Sequence, residues 1–409
     1  MSFLYRARPP NFETKNIMFD ISIFQDTETA FALKTDAEIE RAYWLFSLIQ
    51  NQPLVKLGKA VANFALKHHF PVEGIIRTTV FDHFCGGVTE EDTLPVVDKL
   101  FSKGVYSILD YSVEGAETEE DFARAFNKTK HLIEFASKRK EIPFAVFKPT
   151  GMGAFAIYEK VSAGADLSPE EQTKWEKIRS RYYNLFVAAR EHDVPVMVDA
   201  EETWMQKAVD DLLEDLMYEF NRNKPYVINT LQMYRKDRLD YLKELFDRTQ
   251  SKGVKLGIKF VRGAYMEKER ERAEEMGYPS PICDTKEDTD RNYNAALRFM
   301  MDNIDKDVLI YNGSHNEESN LLLANLTEEK GLQRNDPRIW FGQLYGMSDN
   351  ITFNLAKLGF NASKYIPFGP VKDVMPYLIR RAEENTSIAG QTNRELRLLE
   401  MERKRRKLM

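Results

Sequence analysis

The chain has 409 residues, of which 43% are hydrophobic and 30% are charged, and its formal net charge is −6. This composition is typical of a globular protein with a large buried core and excludes a fibrous or largely disordered chain. The negative balance argues against a nucleic-acid-binding protein. The two cysteines, Cys85 and Cys283, show neither zinc-ligand spacing nor a disulfide framework, so we expect no metal site and a reducing intracellular compartment.

The amino terminus, MSFLYRARPPNFETK, lacks the apolar core of a secretory signal, and no apolar run in the sequence is long enough to cross a membrane. Arg6, Arg8 and Lys15 could be read as a poor organelle-targeting segment, but the stretch is short and Glu13 interrupts it. We therefore expect a soluble protein.

Residues 1–100 predict a helical N-terminal arm, because apolar residues such as Ile39, Tyr43 and Phe46 recur at helical spacing between Asp36 and Phe70. Eight short β-rich runs follow the arm. Each run is apolar at first and polar at its end. The runs are VYSILDY from Val105, FAVFKPTGM from Phe144, VPVMVDAEE from Val194, YVINTLQMY from Tyr226, VKLGIKFVRGAY from Val254, VLIYNGSHN from Val308, RIWFGQLYGM from Arg338 and YIPFGPV from Tyr365.

Segments long enough for a helix separate consecutive runs, and one of them carries the N-terminal helix signature Ser168, Pro169 and Glu170. This alternation predicts parallel strands joined by crossover helices. Its eightfold repetition favours an α/β fold with a closed (βα)8 TIM-type barrel over residues 101–393. No GxGxxG motif or Walker-type loop follows a run, so a dinucleotide would not be held by a Rossmann turn.

Residues 394–409 form a basic C-terminal tail in which Arg403 to Lys407 are an unbroken cationic cluster at the end of a Leu-bearing helical pattern. Such a cluster could contact an anionic membrane surface. A frayed and solvated tail is the favoured interpretation, because charge runs usually mean exposure.

Active sites of such barrels lie at the carboxyl ends of the strands, so the polar residues that end the runs are the candidates for chemistry. Any one of them could instead be a strand-end hydrogen-bond partner, but their coincidence at eight strand ends favours a site. They are Asp110, Glu114, Lys148, Asp199, Glu201, Glu202, Gln232, Lys259, Arg262, His315, Asn316, Gln343, Tyr345 and Tyr365.

The final predicted barrel helix, DVMPYLIRRAEENTS, places Tyr377, Arg380, Arg381 and Glu384 on one face, at positions i, i+3, i+4 and i+7. Two adjacent guanidinium groups are well suited to bind a carboxylate, and the Glu384 carboxylate could orient one of them or meet an ammonium group. A solvated helix face with an i,i+4 pair is the alternative, but it leaves the adjacent like charges unexplained.

Several ordered motifs lie within roughly residues 105–390: LDYSVEG, FKPTGM, VDAEETW, NTLQMYRKDR, KFVRGAYMEKER, YPSPI, YNGSHN and YIPFGPVKDVMPYLIRRAEEN. In these motifs the chain resembles the proline dehydrogenase family, including the barrel domain of bifunctional proline-utilisation enzymes. Two positions differ from the bifunctional bacterial branch, which carries Arg where Lys259 stands and Trp where Met266 stands. Lys259 keeps the charge but lacks the bidentate fork, which puts its flavin contact in doubt.

The resemblance implies FAD as the cofactor, bound at the barrel mouth without a Rossmann module. It implies substrate contacts from Lys148, Asp199, Tyr365, Tyr377, Arg380, Arg381 and Glu384. It implies cofactor contacts from Gln232, Lys259, Gly263, Tyr265, Ser314, His315 and Asn316. His315 alone could also be read as a general base, but the resemblance assigns it to the cofactor.

The implied reaction is oxidation of L-proline to 1-pyrroline-5-carboxylate, with hydride transfer to the flavin and a quinone as electron acceptor. Lys148, Asp199 and Tyr365 are the expected catalytic group. We expect Lys148 to lie near other cations and to have a lowered pKa, which would make it a proton acceptor. The expected partners are proline, a quinone, possible peripheral contact with a membrane, and a separate pyrroline-5-carboxylate dehydrogenase.

The expected location is the cytoplasm, at the inner face of a bacterial membrane, or the mitochondrial matrix in a eukaryote. Three alternatives to this function remain open. One is another flavin barrel oxidoreductase, such as a hydroxyproline dehydrogenase or an enzyme like methylenetetrahydrofolate reductase. The second is a phosphate-binding aldolase or isomerase barrel, and the third is a non-catalytic barrel that binds an amino acid.

Overall fold

The computed structural model describes residues 18–49, 80–112, 116–378 and 391–409. The N-terminal arm begins with a 3-10 turn, Ile21–Gln25, and the helices α1 (Thr27–Ala30) and α2 (Asp36–Ile49). The remainder of the predicted helix toward Phe70 lies outside the described residues. Two further helices precede the barrel, α3 (Asp82–Phe84) and α4 (Leu94–Phe101).

Eight parallel strands form a nearly closed barrel, as the alternating sequence pattern predicts. The hydrogen-bonded order is β1-β8-β7-β6-β5-β4-β3-β2, and β1 and β2 lie side by side across the remaining seam, where the Ser107 amide donates to the Glu141 carbonyl at 2.8 Å. The strands are β1 (Val105–Tyr111), β2 (Ala145–Phe147), β3 (Val196–Val198), β4 (Val227–Gln232), β5 (Gly257–Val261), β6 (Leu309–Gly313), β7 (Ile339–Leu344) and β8 (Ala362–Phe368).

Helices cover the outside of the barrel. The Ser168 hydroxyl caps one of them through a capping box with Glu171, and Pro169 occupies its first turn, as the sequence predicts. No described helix is both long enough and apolar enough to cross a lipid bilayer. The helices are α5 (Glu119–Ser137), α6 (Phe155–Ser162), α7 (Pro169–Glu191), α8 (Thr203–Phe220), α9 (Arg238–Ser251), α10 (Met266–Met276), α11 (Lys286–Asp302), α12 (Glu317–Glu329), α13 (Asp349–Lys357), α14 (371–378) and α15 (Gln391–Arg405).

The barrel interior is packed with side chains, because alternate residues of each strand point inward. Its buried apolar layer includes Ile108, Val146, Met197, Ile228, Tyr311, Trp340 and Tyr365. The opposite faces of the strands pack against the surrounding helices in a second, larger core. Because all eight strands run in the same direction, the polar residues at their carboxyl ends share one end of the barrel.

Strand β8 begins three residues before the run that the sequence predicts from Tyr365. Ser363 and Lys364 look like loop residues in the sequence, yet both are fully buried. The Lys364 ammonium lies 2.8 Å from the Asp349 carboxylate, whose other oxygen lies 3.1 Å from Lys34 of the N-terminal arm. Buried charge pairing therefore replaces the apolar signal that normally identifies a strand.

The basic C-terminal segment is an ordered helix, and α15 crosses the boundary between residues 393 and 394 that the sequence suggests. Arg403 lies 2.6 Å from Glu40 of α2, and Arg406 lies 2.9 Å from Asp36 and 2.6 Å from Glu402. Intramolecular carboxylates therefore neutralise much of the predicted cationic cluster, and the frayed-tail interpretation is wrong.

Candidate active site

Four polar side chains from four different strands meet at the carboxyl-terminal mouth of the barrel. The Asp199 carboxylate lies between two ammonium groups, 2.9 Å from Nζ of Lys148 and 2.6 Å from Nζ of Lys259. The Lys259 ammonium donates to the Tyr365 hydroxyl at 2.8 Å, and that hydroxyl donates to Asp199 at 3.2 Å. The structure thus brings together the three predicted catalytic residues and adds Lys259 to them.

Lys148 has a second carboxylate neighbour, because Asp110 at the end of β1 lies 3.5 Å from its Nζ. Burial by itself lowers the pKa of Lys148, but the carboxylates of Asp110 and Asp199 outweigh burial and raise it well above its usual value. The expectation of a lowered pKa and a proton-accepting Lys148 is therefore wrong. The sequence did not reveal that the groups nearest to this ammonium are carboxylates.

The same ion pairs set the protonation of the other members. Burial opposes ionisation of Asp199, yet Lys148 and Lys259 hold the pKa of its carboxyl well below the usual range. Burial, followed by the negative charge of Asp199 and Asp110, raises the pKa of Tyr365 well above its usual value. At neutral pH the mouth therefore contains an ionised Asp199, a protonated Lys148 and a neutral Tyr365.

The segment Ser314 to Asn316 follows β6 and lies beside this cluster at the same end of the barrel. Arg262, which follows β5, donates to Ser314 Oγ at 2.7 Å, and the Asn316 amide donates to the same oxygen at 3.1 Å. The Asn316 side chain caps α12 by accepting a hydrogen bond from the Ser319 amide at 2.8 Å. These contacts fix a polar backbone segment at the barrel mouth.

Sequence reasoning named Arg262 but missed the residues that orient it. The Asp290 carboxylate, on α11, accepts from two guanidinium nitrogens of Arg262 at 2.9 and 2.6 Å, and Ser319 Oγ accepts at 3.0 Å. The guanidinium also lies over the Tyr293 ring. Asp290 and Tyr293 are on a helix face rather than at a strand end, so strand-end position gave no signal for them.

One feature fits the bound flavin that the resemblance implies at this mouth. The amide oxygen Oε1 of Gln232 is buried and has no hydrogen-bond partner among the described residues, so it is available to a donor of a bound group. Gly263 has a φ of +127°, and a Cβ there would lie 2.5 Å from the Tyr234 ring. Gly263 therefore permits the Tyr234 ring to pack against the backbone, which a Cβ would prevent. Tyr265, two residues further, is the N-cap residue that immediately precedes α10.

Other strand-end candidates bind neighbouring protein groups. Glu201 accepts from the amide and hydroxyl of Thr150 at 2.9 and 2.8 Å, and Glu202 pairs with Lys268. Gln343 faces the helices, where its side-chain amide donates to the Ser314 carbonyl at 3.0 Å. In these contacts Glu201, Glu202 and Gln343 act as hydrogen-bond or ion-pair partners at strand ends. This is the alternative to a catalytic role that the sequence left open. Tyr345 lines a small cavity together with Lys34 of the N-terminal arm.

The predicted carboxylate-binding face is described only in part. Tyr377, on α14, is buried. Arg380, Arg381 and Glu384 lie outside the described residues, as does Glu114. The described residues thus form a (βα)8 barrel with an ion-paired polar cluster at the strand carboxyl ends.

Comparison with known proteins identifies the family. The Proline dehydrogenase family model matches residues 93–394. The carbapenem antibiotics biosynthesis protein CarD of Pectobacterium carotovorum subsp. carotovorum is 38% identical over 352 residues, covering 86% of this chain and 91% of CarD. Proline dehydrogenase 2, mitochondrial, of Arabidopsis thaliana is 32% identical over 374 residues, covering 81% and 79% of the two chains. This chain belongs to the proline dehydrogenase family.

A solved structure supports the fold. The crystal structure of proline utilization A (PutA) from Bdellovibrio bacteriovorus, inactivated by N-propargylglycine, matches with a TM-score of 0.71 at 21% identity. The match covers 90% of this chain and 41% of that protein. It confirms the barrel.

Proposed function

We propose that this protein is an FAD-dependent proline dehydrogenase that oxidises L-proline to 1-pyrroline-5-carboxylate. The observation that carries the proposal is the cluster of Lys148, Asp199, Lys259 and Tyr365 at the mouth of a barrel that belongs to this family. The cluster lies where (βα)8 enzymes hold their active sites. A phosphate-binding barrel is not favoured, because the described mouth is lined by paired charges rather than by a glycine-rich anion loop.

The proposed substrate grip comes from Arg380 and Arg381, whose guanidinium groups suit a carboxylate, with Glu384 close to the substrate amine. Tyr365 and Tyr377 supply apolar faces for the proline ring. The neutral Tyr365 keeps its proton because burial and Asp199 raise its pKa. In this proposal fixed charges orient the carboxylate and amine of proline, and aromatic packing orients its ring.

The proposed cofactor contacts are made by a separate group of residues. When bound, FAD supplies the hydride acceptor for the ring carbon next to the amine. Gln232 Oε1, which accepts no hydrogen bond from the described residues, is available to a donor group of the cofactor. The complete group is Gln232, Lys259, Gly263, Tyr265, Ser314, His315 and Asn316.

Lys148 serves as a fixed cation in this proposal. Its ammonium stays protonated and holds Asp199 in one orientation, while Lys259 holds the other carboxylate oxygen. The amine of proline must therefore lose its proton to solvent or to another group before hydride transfer, and Lys148 does not accept it. The cluster keeps its charges unchanged while the substrate reacts.

In this proposal a quinone reoxidises the reduced flavin. A separate pyrroline-5-carboxylate dehydrogenase consumes the product. If the electron acceptor is a membrane quinone, the protein acts at a membrane surface. That surface faces the cytoplasm in a bacterium or the mitochondrial matrix in a eukaryote. These assignments rest on the resemblance to the proline dehydrogenase family, and a quinone-analogue assay with purified protein tests the first of them.

An anaerobic absorbance spectrum tests the proposal most directly. The purified protein should show flavin absorbance, and L-proline should bleach it. A colourless protein that cannot be loaded with FAD would contradict the cofactor. If the protein is yellow and is bleached by trans-4-hydroxy-L-proline but not by proline, the proposed cofactor stands. The proposed substrate is then wrong. Binding of proline without any flavin would favour the non-catalytic alternative.

An Arg381→Met variant tests the carboxylate grip. Loss of a charge-assisted hydrogen bond costs about 1.5–3 kcal/mol, which raises the KM for proline by about 10- to 150-fold. Unchanged proline kinetics would remove Arg381 from the substrate site.

A further inference from the structure

The C-terminal helix α15 reaches the proposed cofactor segment through Arg394. One terminal guanidinium nitrogen of Arg394 donates to the His315 carbonyl at 2.9 Å, and the other donates to Ser348 Oγ at 2.9 Å. The arginine thus links the segment after β6 to the turn after β7. Its side chain is 17% exposed, so these hydrogen bonds are largely shielded from water.

Ser348 is the centre of this connection. Its Oγ also lies 2.9 Å from Nδ1 of His315, and its amide donates to the Glu395 carboxylate at 2.8 Å. Ser348 has a φ of +51°, a left-handed conformation that a residue with a side chain rarely adopts. Neighbouring groups must therefore hold this turn, and α15 supplies two of them, Arg394 and Glu395.

Arg394 differs in its contacts from the arginines at the other end of α15. Arg403 and Arg406 make short ion pairs with carboxylates of α2 and α15. For Arg394, the carboxylates of Glu317 and Glu395 lie at 3.7 and 3.8 Å, whereas its short contacts go to a carbonyl and a hydroxyl at the barrel mouth. Its planar guanidinium group can satisfy both acceptors at once, which a lysine ammonium at the same place does less well.

We propose that Arg394, with Ser348 and Glu395, is a positioning residue for the cofactor, and that α15 thereby controls the affinity of the barrel for FAD. This inference rests on the proposed function, which assigns the segment Ser314 to Asn316 to the flavin. Arg394 acts through the His315 backbone and side chain. A loosened His315 segment lowers FAD affinity, while the cluster around Asp199 keeps its own ion pairs.

The test is titration of apoprotein with FAD, monitored by flavin fluorescence, for the wild-type full chain and three variants of it. Arg394→Gln should raise the Kd for FAD by about tenfold or more, because it removes charge-assisted hydrogen bonds that fix the segment. Arg397→Gln is the control, since Arg397 lies one turn further along the same helix, is exposed, and contacts the side chain of Gln25. Arg394→Lys should restore only part of the affinity.

Ser348→Gly keeps the test decisive if Arg394→Gln does not fold. Glycine accepts the left-handed φ while removing the hydroxyl shared by Arg394 and His315. It should therefore raise the Kd for FAD about fivefold or more, by loss of a net hydrogen bond, without a matching loss of thermal stability. At saturating FAD, both variants should retain the wild-type KM for proline.

The outcomes separate the two proposals. Wild-type protein that fails to bind FAD overturns the proposed function and this inference with it. Wild-type protein that binds FAD, with Arg394→Gln and Ser348→Gly binding it equally well, overturns the inference alone. A loss of affinity in Arg397→Gln as large as in Arg394→Gln would also overturn it, because the effect would then belong to the helix in general.

Discussion

The ammonium group of Lys259 lies 2.6 Å from the carboxylate of Asp199, although 60 residues of sequence separate them. Strands β3 and β5 bring them together across the barrel mouth. The Lys148 ammonium donates to the other carboxylate oxygen of Asp199 at 2.9 Å. The negative charge of Asp199 therefore allows the two ammonium groups to lie close together. Its removal therefore has consequences beyond the loss of one contact.

Asp199→Asn should lower both the free energy of unfolding and the catalytic activity. The substitution keeps the shape of the side chain but leaves Lys148 and Lys259 without the carboxylate between them. Loss of one partner of a buried ion pair costs about 3 kcal/mol, and urea unfolding should show a decrease of that size. Loss of preorganised charge at the mouth should lower kcat/KM by about 100-fold. Asp193→Asn is the matched control, because Asp193 pairs with Lys224 on the surface. Wild-type kinetics in Asp199→Asn would contradict the assignment.

Lys148→Arg should reduce activity without changing its pH dependence. The carboxylates of Asp110 and Asp199 raise the pKa of Lys148 well above its usual value, so its charge does not change in the neutral range. Arginine keeps that charge, and only the geometry of the ion pairs alters. The midpoint of the kcat/KM profile, measured between about pH 6 and 9, should stay within about 0.3 units of wild type. Disappearance of the rising limb in Lys148→Arg would restore Lys148 as the proton acceptor.

Gly263→Ala should weaken FAD binding more than an ordinary glycine substitution would. A Cβ at Gly263 meets the Tyr234 ring at 2.5 Å, in addition to the strained φ of +127°. We expect a decrease of about 3 kcal/mol in the free energy of unfolding and a measurable rise in the Kd for FAD. Gly277→Ala is the control, since Gly277 has a φ of +72° and open space at its Cβ, and should cost about 1 kcal/mol. If both variants lower the free energy of unfolding by the same amount, the Tyr234 ring moves aside without measurable cost.

Glu201→Gln should make stability less dependent on pH. Burial, and then the charge of Glu202, raises the pKa of Glu201 to about 7, although Thr150 donates to its carboxylate. A carboxyl whose pKa is raised on folding favours the native state fully below its unfolded pKa of about 4.5, and this contribution is lost as the pH rises through about 7. Between about pH 5 and 8, wild type should lose about 2–3 kcal/mol more than Glu201→Gln in chemical unfolding. Exposed Glu120→Gln serves as the control. Parallel stability curves for wild type and Glu201→Gln would contradict the raised pKa.

Much of the fold was predictable because its signals are local. Seven of the eight strand runs overlap the observed strands closely, and the Ser168 capping box marks the start of α7 as expected. The start of β8 was missed, since Ser363 and Lys364 carry no apolar signal. Lys364 is buried there because Asp349, from the helix after β7, neutralises it. A long-range pair of this kind leaves no periodic pattern in the sequence.

The sequence by itself determined the barrel, the ends of the strands and the residue types that gather there, because alternation and strand-end polarity are properties of neighbouring residues. Only the tertiary structure decided which charges meet. Asp110 and Asp199 are 38 and 51 residues from Lys148, and their approach reverses the expected direction of its pKa shift. The contact of Arg394 with His315 spans 79 residues and likewise depends on how α15 packs against the barrel. Coulomb energy depends on distance in space, which residue order alone does not specify.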